Sequence, residues 1–210
     1  MIRYALAAAV VAAAPLAAQS PLRMSFWGTA SQEIVQSRIG GVREWLSGTM
    51  LSGEGVLGGD RIMLRLRYGQ GTLKGEGAIE PRELVEGEVL LGYRAASWLT
   101  LWAGPNARAY TVGDADQRWL FWSGRATLRG TLLPGRMQSF VELWKSASGS
   151  VTRPDGAASG RGAEAGLEMR LSGQTVWGRL AYRIEQGLGD GELRDVVETL
   201  AFSIAFVRQR

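Results

Sequence analysis

The sequence predicts an all-β fold: a ten-stranded antiparallel up-and-down barrel that crosses a membrane. Three observations carry that expectation. Apolar and polar residues alternate with period two over most of the chain, the mark of half-buried strands. Short turns and longer polar connections alternate strictly along the sequence. An export signal opens the chain, and no later segment approaches the ~18 consecutive apolar residues of a membrane helix.

The first twenty residues read MIRYALAAAVVAAAPLAAQS. Arg3 gives a positive start, Ala5 to Ala18 form an apolar run too short to span a bilayer as a helix, and small Ala18 ends a cleavable motif. Residues 1–18 are therefore expected to be a signal peptide, and 19–210 a single barrel domain. Mean hydropathy is −0.04, with 46% hydrophobic and 21% charged residues, which excludes a helical membrane protein. The net charge of +4 is too small to argue for nucleic acid as a partner. Cys and His are both absent, so no disulfide, no Cys/His metal site and no His-dependent catalysis is available. Glycine is abundant, with 29 residues, about twice the usual ~7% share.

Taken in order, Leu22, Met24 and Phe26 suggest a first strand. Ser31-Gln32-Glu33 followed by Ile34, Val35, Ile39, Val42, Trp45 and Leu46 is expected to form a loop with a helical turn, leading into a strand that ends near Leu57. Eight strands plus an N-terminal helix is the alternative. Ile62, Leu64, Leu66 and Tyr68 then oppose Met63, Arg65 and Arg67, and Val85 through Tyr93 opposes Glu86, Glu88 and Arg94. The longest alternation runs from Trp119 to Leu133. Later come Ala165 to Leu171 opposite Glu164, Glu168 and Arg170, Val176 to Ile184 opposite Arg179, Arg183 and Glu185, and Leu200 to Phe206. Short turns are placed at 58–60, 95–97, 134–135 and 172–174, where Gly, Pro and Asp supply tight-turn geometry. Longer connections are placed near 31–41, 74–82, 105–117, 148–162 and 186–194, which puts both termini on the short-turn side.

Alternation does not say which face is inside. The polar rows favour a membrane barrel because they hold a concentrated, near-balanced set of Arg and Glu with almost no Lys. Arg is the cation suited to enclosed, multiply hydrogen-bonded pairing. Aromatic residues gather towards strand ends, as in interfacial girdles. Tyr68, Tyr93, Trp98, Trp119, Trp122, Tyr182 and Phe206 are the expected membrane-interface aromatics; Trp102, Tyr110 and Trp144 belong to the same reading. The final strand Leu200-Ala201-Phe202-Ser203-Ile204-Ala205-Phe206 resembles the C-terminal assembly signal of bacterial outer-membrane proteins, although Val207-Arg208-Gln209-Arg210 follow where that family usually ends on an aromatic. The whole mature chain resembles a small outer-membrane β-barrel of the broad OmpA/OmpX-like kind. The resemblance implies insertion by the barrel-assembly machinery, contact with outer-membrane lipid and lipopolysaccharide, and no cofactor.

A ten-stranded lumen is little wider than its side chains. Arg65, Arg67, Glu86, Glu88, Arg125, Arg129, Glu142, Glu164, Glu168, Arg170, Arg179, Arg183 and Glu185 are expected to form a charge network across it, centred on Glu86, Glu88, Arg125 and Arg129. The enzymes found among small outer-membrane barrels place a His in the catalytic group; with none here, no catalytic residue is assigned. Asp114-Ala115-Asp116 and Gly189-Asp190-Gly191-Glu192 are shorter than a dedicated calcium loop, and no metal site is assigned. The functional expectation is a non-enzymatic outer-membrane barrel with a charge-filled lumen and long surface loops, in a structural or surface-interaction role. A narrow pore for small solutes or ions, and a soluble periplasmic barrel holding an apolar ligand, are the alternatives.

Overall fold

The computed structural model describes residues 23–39, 42–75, 80–112, 115–152, 155–173, 175–190 and 193–208. The expected signal peptide and its cleavage point lie outside these residues. Ten antiparallel strands follow one another in chain order: β1 (Arg23–Ile39), β2 (Val42–Gly58), β3 (Ile62–Gly75), β4 (Arg82–Ala96), β5 (Leu99–Val112), β6 (Ala115–Leu133), β7 (Met137–Thr152), β8 (Asp155–Ser172), β9 (Val176–Gly189) and β10 (Arg194–Arg208). Each pairs with its sequence neighbours, and β1 pairs with β10 from Met24↔Arg208 to Arg38↔Arg194, which closes the ring. No helix occurs among the described residues.

The short turns stand where expected. The connections after Gly58, Ala96, Leu133 and Ser172 lie at the end of the barrel where β1 begins and β10 ends, here called the near end. Gly135 and Gly173 take the left-handed backbone (φ 64° and 54°) that a side chain disfavours. The other connections depart from expectation. Segment 31–39 continues β1, and 42–58 is all β2, so the eight-strand alternative with a helix is excluded. Residues 105–112, 148–152, 155–162 and 186–189 are likewise strand, not loop. Gln, Ser, Gly and Asp in these stretches signal loops only if the outer face is assumed to be apolar. Here they continue the strands on a polar outer face. The strands run 14–19 residues, well beyond the ~9–11 that a tilted strand needs to cross a bilayer.

That extra length changes the pattern of faces. Over the near part of the barrel, the apolar rows point outward: Phe26, Leu66, Leu91, Leu101, Leu143, Leu180, Phe202 and Phe206 stand exposed around the ring. The opposing Arg and Glu rows point inward. Towards the far end the pattern reverses. Gln32, Thr49, Thr72, Glu83, Arg118, Lys145, Ser159 and Arg161 face out and are exposed, with Ile34, Trp45, Leu51, Leu120 and Leu188 as apolar exceptions. Inside, Val35, Leu46, Met50, Leu73, Leu84, Tyr110, Trp119, Phe121, Val151, Leu193 and Val197 pack into an apolar core, with Glu33, Ser37 and Asp195 buried on the same inner rows. The expectation that ionic rows line the whole interior therefore holds for the near part only.

Much of the glycine makes room for inward aromatics. Gly92 lies opposite Trp102 and Gly162 opposite Trp144 in neighbouring strands. A Cβ there would sit 2.4 Å from the Trp102 ring or 2.3 Å from that of Trp144. At Gly162 the backbone oxygen of Ile184 is also within 2.6 Å of that position, so the neighbour cannot simply move aside. Gly162→Val is expected to lower stability by about 1–3 kcal/mol through overpacking, read as a fall in the urea midpoint of the barrel in lipid vesicles. Gly28→Val, where the position is open, is expected to leave the midpoint in place.

Candidate functional site

The interior below the apolar core is the place where chemistry-bearing side chains converge. It is built by strand parity: each inward position repeats every second residue, so Arg65 and Arg67 on β3, Glu86 and Glu88 on β4, and Arg183 and Glu185 on β9 all reach the axis. The charged groups sort into three connected sets at successive depths.

The uppermost set touches the apolar core. Arg108 donates to Glu86 Oε1 at 2.8 Å and pairs with Glu185 at 3.0 Å and Asp195 at 3.4 Å. Tyr110 donates its hydroxyl proton to Asp195 at 2.8 Å. Arg183 reaches Glu86 Oε2 at 3.0 Å, and Glu33 accepts from Ser31 and Thr199. This set holds more carboxylates than guanidinium groups. Arg67 lines the small void between Glu86, Glu88, Arg108 and Glu185 without reaching ion-pair distance of any of them, and so offsets the excess through space.

The central set is the most tightly joined. Arg65 makes a two-pronged contact with Glu142, both bonds 2.9 Å, and pairs with Glu88 at 3.0 Å. Arg125 contacts Glu88 and reaches Glu142 at 3.3 Å, while Thr127 donates to Glu142 at 2.6 Å. The planar fork of Arg suits this bidentate geometry. The guanidinium faces are covered as well, Arg65 by Trp102 at 4.7 Å and Arg125 by Trp144 at 4.9 Å. In the lowest set, Glu168 accepts from Arg129 at 2.7 Å and from Arg179 at 2.8 Å, and Arg179 lies 3.9 Å from the Trp27 ring with Glu54 at 3.7 Å.

Of the thirteen residues expected in the network, ten are joined by ion pairs: Arg65, Glu86, Glu88, Arg125, Arg129, Glu142, Glu168, Arg179, Arg183 and Glu185. Arg67 and Glu164 line the interior without an ion pair, and Arg170 lies over Trp177 near the rim. Arg129 sits below the centre assigned to it, on the lowest set, with a partly exposed side chain. Glu33, Glu54, Arg108 and Asp195 were not foreseen. Glu33 and Arg108 fall in stretches read as loops, and Asp195 just beyond one, ahead of the strand read from Leu200; parity with Val35, Tyr110 and Val197 is the available signal.

The outer aromatics divide in the same way. Tyr68, Tyr93, Trp98, Trp122, Tyr182 and Phe206 stand exposed on the outer surface, as an interfacial position requires. Trp119 does not: it is 1% exposed inside the apolar core, stacked at 6.0 Å on Phe121. Trp102, Tyr110 and Trp144 also face inward. Its odd position puts Trp119 with Ser123 and Arg125 on the inner face, not with the outward Leu120 and Trp122.

Neither a family model nor a curated protein matches the chain. Among solved structures it is similar to an outer-membrane channel from Pseudomonas putida F1, with a TM-score of 0.51 and 9% identity over 90% of this chain and 96% of that one. The chain has the fold of a bacterial outer-membrane β-barrel. The translocator domain of the autotransporter NalP from Neisseria meningitidis gives a TM-score of 0.45 at 11% identity, over 96% of this chain and 94% of that chain. The attachment invasion locus protein Ail of Yersinia pestis gives 0.38 at 11%, over 90% and 100%.

Removing one member of the central set leaves buried charges without partners, which costs more than the pair itself contributes. Glu142→Leu is expected to destabilise the barrel by about 3–5 kcal/mol, whereas Glu164→Gln, which breaks no ion pair, is expected to change stability by less than about 1 kcal/mol. Equilibrium urea unfolding of both variants in lipid vesicles checks the contrast.

Proposed function

We propose that the protein is an exported outer-membrane barrel whose lumen is sealed, serving a structural or surface-interaction role without catalysis and without steady solute flow. The sealed interior carries this reading. A solute moving along the axis meets first the paired Arg and Glu of the central set, then the Arg108–Glu86–Asp195 set, then an apolar core contributed by strands around the ring. Charged side chains alone could line a wet pore; a cluster of eleven buried hydrophobic side chains towards the far end supports a closed one.

The outer surface supports the membrane placement. A ring of exposed Leu, Val, Ile and Phe is far more contiguous than the scattered apolar residues of a soluble surface. In hydrocarbon every backbone group must be paired internally, which an unbroken ring of strands achieves. The near end, with its short turns, the start of β1 and the end of β10, then faces the periplasm. The far third of the barrel, polar outside and apolar within, stands clear of the bilayer as a rigid projection, and its outer wall is the surface offered to the exterior.

Purified protein in planar bilayers is expected to show no steady conductance, while migrating faster on unboiled than on boiled gels as a closed barrel does. Large steady conductance overturns the sealed-lumen reading; recovery in the soluble fraction without detergent overturns the membrane placement.

A further inference from the structure

Below the central ion-pair set the lumen is not filled. A cavity of about 230 Å³ extends from Arg65 and Glu142 down towards the near rim. A second space of about 200 Å³ adjoins it at that rim, and the two share Ser25, Val56, Met63 and Arg94. Above, its lining continues through Glu54, Arg67, Glu164 and Arg179 into a space of only about 20 Å³ beneath Arg183 and Thr199, with the apolar core beyond, so it is taken as a one-ended vestibule.

Its walls are of two kinds. Met63, Leu90 and Trp102 form a small apolar cluster with Val56 against it, and three of these four line the cavity. Beside that wall stands Arg94, half-buried, at the neck between the two spaces. Its guanidinium donates only to the sulfur of Met63, at 3.5 Å. No carboxylate among the described residues reaches ion-pair distance of it. Asp60, the acid of the adjacent turn, is taken by Arg23 at 3.1 Å, and Glu168 is taken by Arg129 and Arg179. Arg94 thus differs from Arg65, Arg108, Arg125, Arg129, Arg179 and Arg183, each of which has a carboxylate partner; Arg67 and Glu164 also line the cavity without an ion pair, but they are opposite charges deeper in the lumen, whereas Arg94 stands at the entrance.

An uncompensated guanidinium next to an apolar wall, at the entrance of a blind cavity, is the arrangement of a ligand site: apolar lining for the body, a placed polar group for orientation. We propose that the vestibule binds a small soluble carboxylate or phosphate ester with an apolar or aromatic body, entering from the near end. The anionic group lies on Arg94, and the body lies against Val56, Met63 and Trp102. Enclosed walls strengthen such a pairing relative to bulk water, and a second positive field from Arg23 and Arg129 adds to the attraction for an anion. The barrel wall separates this space from lipid, so the ligand comes from solution and not from a membrane headgroup.

The proposal rests on the sealed-lumen reading in one respect: the site is a dead end, so binding occurs without passage. Isothermal titration of the full folded chain in detergent, with empty micelles as blank, compares benzoate with its neutral analogue benzyl alcohol. Benzoate is expected to saturate a single site and to bind about tenfold or more tightly than benzyl alcohol, the scale of one charge-assisted contact. Arg94→Gln is expected to remove that preference and Arg94→Lys to keep part of it. Arg136→Gln, which takes a charge from the near end outside the cavity, is expected to leave it unchanged. Retained fast migration on unboiled gels shows that each variant is folded. Equal affinity for the two probes, no saturable benzoate binding, or an Arg94→Gln chain that binds benzoate like the parent overturns the site. Conductance in planar bilayers overturns the sealed lumen instead, so the two failures are told apart.

Discussion

Closure of β1 onto β10 is the constraint from which the rest follows. An open ten-stranded sheet would leave two rows of unpaired N–H and C=O groups, several kcal/mol each in hydrocarbon. The fifteen-residue register from Met24↔Arg208 to Arg38↔Arg194 removes both rows at once. Once the ring is closed, its radius fixes how much space remains inside, and that space can hold side chains from all around the ring but no second layer of backbone. Everything in the interior is therefore side-chain chemistry solved across the axis, between residues as far apart in sequence as Arg65 and Glu142 or Glu86 and Arg183.

The interior solves that problem twice, in opposite ways. Where the outer wall is apolar, the inner rows are ionic, and a buried guanidinium is served by a carboxylate partner and, at some positions, by a ring over its face. Arg65, Arg125 and Arg179 obtain both, from Glu142, Glu88 and Glu168 and from Trp102, Trp144 and Trp27. Where the outer wall is polar, the inner rows are apolar and need only to fill space. The boundary runs through single strands: β1 carries Trp27, Glu33 and Val35 on one inner row, and β4 carries Glu88, Glu86 and Leu84. Arg108, Tyr110 and Asp195 join the two regions, with the Tyr110 ring in the apolar core and its hydroxyl on the carboxylate below.

This reversal explains what could be read from the chain and what could not. Period-two alternation needs no knowledge of the environment, so the strands around Arg65, Glu86, Arg125 and Arg183 and the charge rows they carry were legible directly. So were the near turns, because Gly135 and Gly173 are local requirements. The far third was not legible, for one physical reason. Judged by an apolar outer face, Gln32, Lys74, Ser150 and Ser159 look like loop residues. Judged by a polar outer face, they are the outward half of the same alternation, with Val35, Leu73, Trp119 and Val151 as the inward half. Glu33, Arg108 and Asp195 were missed along with the strands that hold them. Arg94 is the opposite case: its inward row was legible, but its lack of a partner depends on where Asp60 and Glu168 spend their charges, which only the three-dimensional arrangement reveals.

The apolar core also has a consequence for how the molecule comes together. Its described members come from β1 to β7 and β10, with Leu193 just ahead of β10 and Ala158 of β8 packed against them. No single hairpin contains enough of it to gain by forming early. Val35 and Leu46, neighbours on β1 and β2, find Trp119 and Val151 only when the opposite side of the ring has arrived. Contacts at the far end therefore depend on the closed β1–β10 seam. Burial at that end acts as a latch on the ring, tying the cohesion of ten hairpin-linked strands into one all-or-none transition.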